Sequence, residues 1–179
     1  TRETDVSVVG TPRTGAINYA DCIELGNCEQ ELGAKQEIFY IAFATNYLNS
    51  NTDIYIEKVV CTTEMFVTEC GTTARENGSA IFARANTATT GVENKPKLSI
   101  YSNQNDAAKL SGSEDNMMDY LSIVWNSYDA ATNVTTLRNQ NFRENLARLG
   151  TENIVATYNG NTEIPADVAM DLDGNYFIA

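Results

Sequence analysis

The 179 residues are 42% hydrophobic and 20% charged, the values of a globular chain long enough to bury its own core, not of a disordered tail. Acidic residues outnumber basic ones 24 to 12, and a net charge of −12 argues against nucleic acid and anionic membrane as partners. Histidine is absent, which removes the commonest general base, and no apolar run approaches the roughly 20 residues a membrane-spanning helix needs.

Strand patterns dominate the chain. Asp5 to Val9 is short and β-branched. Glu37 to Thr45 is apolar on both faces, which predicts a central, fully covered strand. Asp53 to Cys61 alternates, with Ile54, Ile56 and Val60 on one side. Glu64 to Thr68, Ala80 to Arg84 and Lys97 to Tyr101 follow, and Asn105 to Leu110 reads as a single helical turn. In Tyr120 to Trp125 the alternation sets Leu121, Ile123 and Trp125 on one face, which reads as core. Asn141 to Leu149 differs: Phe142, Leu146 and Leu149 stand at helical spacing and Gly150 follows as a stop, predicting one short helix near 141–149. Val134 to Leu137, Asn153 to Tyr158, Asp167 to Leu172 and Tyr176 to Ile178 complete the strands. Turn signals such as Asn77-Gly78, Asn159-Gly160 and Asp173-Gly174 separate them. The expectation is one all-β domain over residues 1–179, a β-sandwich or jelly-roll-like fold, with α+β as the alternative.

Four cysteines, Cys22, Cys28, Cys61 and Cys70, form an even set. Their C-x5-C and C-x8-C spacings do not match zinc knuckles, so two disulfides are expected. A fully extended segment would hold Cys61 and Cys70 ~30 Å apart, far beyond the ~7 Å that a bridge spans. Either Cys61 and Cys70 bridge locally, with a reversal near Glu64-Met65-Phe66 that puts Met65 and Phe66 at the tip of a stapled loop, or each pairs with Cys22 or Cys28; the two local bridges, Cys22–Cys28 and Cys61–Cys70, are the favoured set. The bridges, and a chain that opens on Thr1, are expected of a mature, exported protein.

Without histidine, and with bridged cysteines, only carboxylate or serine–lysine chemistry remains, and no pattern singles out such a pair; no enzyme is expected. No cofactor is required. The one candidate is Ca2+, because Asp167, Asp171, Asp173 and Asn175 form an acidic run in which Asp171-x-Asp173-Gly174 is part of a calcium-loop pattern. Ala169 and the lack of a following glutamate depart from an EF-hand, and a solvated Asp-Gly turn is the plainer reading. Asn77 and Asn133 head glycosylation sequons. Residues 1–10 are a candidate for exchange between subunits, with Val6, Val8 and Val9, together with Met65 and Phe66, as contact residues. The leading expectation is a structural subunit of an extracellular filament, pilus or surface assembly that partners itself through strand addition. A secreted module binding a glycan or a host-surface protein, and a viral capsid or decoration protein, are the alternatives.

Overall fold

The computed structural model describes residues 5–13, 35–46, 51–64, 67–71, 82–87, 90–102, 119–143, 145–171 and 175–179. Their secondary structure is all-β: strands β1 (Val6–Arg13), β2 (Lys35–Thr45), β3 (Asp53–Glu64), β4 (Val67–Gly71), β5 (Phe82–Arg84), β6 (Val92–Ser102), β7 (Asp119–Asp129), β8 (Val134–Arg143), β9 (Arg148–Asn159), β10 (Val168–Met170) and β11 (Tyr176–Ile178). Every pairing is antiparallel.

Consecutive strands pair, so each large sheet is a meander. The first runs β1-β2-β3-β4, with β5 beside the start of β3; the second runs β6-β7-β8-β9; β10 and β11 form a small third sheet. The two-residue period puts Ile38, Tyr40, Ala42 and Ala44 of β2 and Ile54 and Ile56 of β3 on one face of the first sheet. They meet Leu98, Leu121, Ile123, Trp125 and Phe142 of the second sheet in the main core. Trp125, the lone tryptophan, is wholly buried there. The opposite face of the second sheet carries Val124 and Leu137, which pack with Ile164 and Val168 in a smaller core. Asn126 fastens that layer: its Nδ2 donates to the Ile164 carbonyl (2.9 Å) and its Oδ1 accepts from the Ile164 N–H (3.0 Å).

Two expectations are corrected. Residues 141–149 are not a helix; they close the β8–β9 hairpin. Leu146 sits in the turn at φ 61° and drops its side chain into the core beside Phe142, while Gly150, at φ 70°, lies within β9. One strand residue and one turn residue fill the same core, which imitates helical spacing without helical hydrogen bonds. The α+β alternative goes with the helix. The second correction concerns β2. It is central, and one face is fully buried in the core, while Phe39, Ile41 and Phe43 on the other face are half-buried.

The predicted strand 64–68 divides as the local bridge requires: the chain reverses after Glu64, and Glu64 faces Val67 across the new hairpin. The predicted strand at Lys97 starts earlier, at Val92, because a bulge between Asn94 and Lys97 absorbs Pro96 and the positive φ of Lys95.

Candidate functional site

Cys61 and Cys70 are direct cross-strand partners on β3 and β4, with Cα atoms 4.0 Å apart and their sulfurs bonded. Cys22, Cys28, Met65, Phe66, Asn77 and Asp173, and the turn expected at 105–110, lie outside the described residues. Asp171 and Asn175 are brought together, since Asp171 Oδ1 accepts from the Asn175 N–H (2.9 Å) and Oδ2 from its Nδ2 (3.0 Å). Asp167 lies at the other end of β10, its carboxylate accepting from the Val168 N–H. Among the described residues no group of three His, Cys, Asp or Glu side chains converges as metal ligands would. Asn133 is exposed in the β7–β8 turn, where its Oδ1 accepts from the Tyr128 hydroxyl.

Val6 and Val8 point outward, 57% and 54% exposed, while Val9 packs against the core. The strand that holds them is paired along its length with β2 of its own chain. Its other side faces β6: Ser7 Oγ accepts from the Leu98 N–H (3.1 Å), and Asp5 Oδ2 accepts from the Lys95 N–H (3.2 Å). The start of β1 is therefore tied to β6 through the side chains of Asp5 and Ser7.

The second sheet ends differently. β9 pairs with β8 alone, and among the described residues its backbone makes no hydrogen bond in the other direction. From Asn153 to Thr162 there is neither a charged residue nor a proline. The β8–β9 register advances from Leu137–Ala156 to Arg138–Ile154, so Val155 is an extra residue, and Ile154, Val155 and Tyr158 are 59%, 44% and 50% exposed. Edge strands are commonly protected by lysine, proline or an overlying element; β9 has two register irregularities, at Val155 and between Leu149 and Asn153, and Arg148 and Glu152 near its start bond the backbone of residues 84–87, which leaves Asn153 to Asn159 as its uncharged stretch.

A buried polar network, not anticipated from the sequence, lies where the two large sheets meet. Glu93 on β6 is fully buried. Its Oε2 accepts from the Trp125 indole N–H (2.7 Å) and its Oε1 from the Ser127 hydroxyl (2.9 Å). Its own N–H reaches across to the carbonyl of Thr52, just ahead of β3 (3.1 Å). Gly91 seals the site, because a Cβ there would come within 3.0 Å of Glu93 Oε1 and 2.9 Å of Ser127 Oγ. The nearby cation belongs to another acid: Arg138 pairs with Glu152, which also accepts from the N–H and hydroxyl of Thr87. Burial pushes the Glu93 carboxyl up to about 7, against the pull of its two hydrogen bonds and of Arg138. Burial opposes ionisation of Glu152 as well, but its bonds from Thr87 and Arg138 outweigh it and hold the carboxyl low. Glu93 lies ahead of the strand expected from Lys97, so the strand pattern did not include it.

Comparison with family models, with curated proteins and with solved structures finds no match to this chain. Among the described residues no helix is long and apolar enough to cross a membrane.

Proposed function

We propose that this chain is a structural subunit of an extracellular assembly, a filament or surface layer, whose copies join by β-strand addition and which performs no catalysis. The observation that carries this reading is the open edge of β9. The uncharged part of this strand, Asn153 to Asn159, has no hydrogen-bonded neighbour on its outer side among the described residues and offers main-chain donors and acceptors that an added strand satisfies. The uncharged run from Asn153 to Thr162 keeps the −12 charge of each copy away from that junction. The Cys61–Cys70 bridge supports an oxidising compartment. Residues 1–10 are the weaker candidate for the joining element, since β1 is paired with β2 on one side and its start is tied to β6 on the other.

Light scattering across a concentration series and negative-stain microscopy of the native protein test this, beside the variants Val155→Pro and Tyr158→Lys. Wild type is expected to associate, and both variants to remain folded monomers. A wild type that stays monomeric at high concentration, or assemblies that persist in both variants, refutes the reading.

A second reading, a glycan- or protein-binding module, draws on the outer face of the first sheet. There Val6, Val8 and Phe82 are exposed, and Phe43, Tyr55 and Phe82 cluster, with Tyr55 and Phe82 stacked at 4.6 Å. Ligand binding by a monomer, lost on Phe82→Ala, is the result that would favour it.

A further inference from the structure

We propose that Glu93 is the bolt of a proton-operated latch at the junction of the two sheets, closed when its carboxyl carries a proton and loosened when it does not. Four observations meet at this point. The carboxyl is wholly buried, has two neutral donors, and forms no ion pair with a described residue. The same residue ties the sheets through its N–H to Thr52. Immediately after it comes an irregular segment: a bulge from Asn94 to Lys97, a positive φ at Lys95, and a buried Asn94 Oδ1 without a hydrogen-bond partner. That segment also holds β1, through Asp5 on Lys95 and Ser7 on Leu98. A register break, a left-handed lysine and an unmet polar atom within one short stretch lower the cost of opening it.

The chemistry supports two states. With the proton on, Oε1–H donates to Ser127 Oγ, whose hydroxyl simply reverses, and the carbonyl Oε2 continues to accept from the Trp125 indole. Every bond is kept and no charge is buried. With the proton lost, both donors remain, but a full negative charge sits in a sealed site. Arg138 on β8 attracts it and Glu152 on β9 repels it. Those two are already paired with each other, and the bonds from Thr87 and Arg138 hold the Glu152 carboxyl low. Trp125 and Ser127 on β7 do not titrate in the neutral range, and among the described residues of the β2–β3 connection it is the Thr52 carbonyl that bonds Glu93.

Opening exposes Glu93 to water and returns it to an ordinary carboxyl, so ionisation favours the opened form. With folded and opened values of about 7 and 4.5, linkage gives an opening equilibrium that rises about tenfold between pH 6 and pH 8. The test uses the full chain. Trp125, bonded to the carboxyl, reports its charge by fluorescence, and hydrogen exchange of peptides across residues 90–98, corrected for intrinsic rates, reports opening. Wild type is expected to show a fluorescence midpoint near neutrality and a matching loss of protection; Glu93→Gln is expected to show neither. Ser127→Ala keeps the carboxyl and removes one donor. The bond to an anion is the stronger one, so the midpoint should move upward, whereas a merely structural serine would leave it unchanged. The proposal is overturned if wild-type protection at 90–98 is the same at pH 6 and 8, or if Glu93→Gln keeps the wild-type pH dependence. Should Glu93→Gln fail to fold, an unmoved midpoint in Ser127→Ala overturns it equally.

Discussion

Replacing Glu93 with glutamine should make the protein more stable at neutral pH, and the size of the gain follows from the site. Glutamine reproduces the protonated acid: its Oε1 accepts from Trp125 and its Nε2 donates to Ser127 Oγ. The wild-type carboxyl moves from 4.5 when unfolded to about 7 when folded. Between those values the folded state holds a proton that the unfolded state has released, so stability falls as pH rises through this window and levels off above about 7. At 1.36 kcal/mol per pH unit, the loss is roughly 3 kcal/mol. Glu152 and Asp129 are held low, so their contributions are lost on the acid side instead, but both variants share them and they cancel in the difference. Urea denaturation followed by far-UV circular dichroism at pH 4.5, 6, 7 and 8 measures the gap. The two proteins should nearly coincide at pH 4.5 and differ by roughly 3 kcal/mol at pH 8, with glutamine the more stable. A gap independent of pH, or one that widens toward acid, would show that Glu93 is not the buried, proton-holding acid described here.

Reducing Cys61–Cys70, or replacing both with serine, frees a loop of sequence separation 9 and should cost about 2.5 kcal/mol by the loop-entropy relation, read from urea midpoints. Arg138→Ala leaves Glu152 without its cation and should destabilise by about 2 kcal/mol at pH 7. That loss should shrink in acid as Glu152 takes up a proton, and an effect that is flat from pH 7 to 3 would contradict it. Leu146→Gly relieves a left-handed backbone worth about 1 kcal/mol but empties a core position worth about 3 kcal/mol. The net change in thermal unfolding should be a loss, whereas an exposed turn leucine would give a gain.

Local alternation was sufficient to find most strands, because a half-buried strand writes its buried face directly into every second residue. Ile54, Ile56, Leu121, Ile123 and Trp125 were all readable this way. The span of a bridge reduced Cys61 and Cys70 to two choices, a local reversal or pairing with Cys22 and Cys28, and the fold takes the reversal. Residues 141–149 misled because their apolar spacing records where side chains converge in space, and a hairpin delivers that convergence as readily as a helix does.

Charge balance, strand period and cysteine spacing are properties of neighbours along the chain, so the all-β class, and the local bridge as one of two choices, belong to the sequence itself. Which edge is tied and which is open depends on the placement of β1 against β6, an arrangement written in no short stretch of residues. The same holds for Glu93, one of 24 acidic residues in the chain. Its charge state is set by burial, against the pull of Trp125 and Ser127, more than thirty positions away, and Gly91 packs closely beside it. Burial is a collective property of packed layers, and only the folded chain decides which carboxyl loses its solvent.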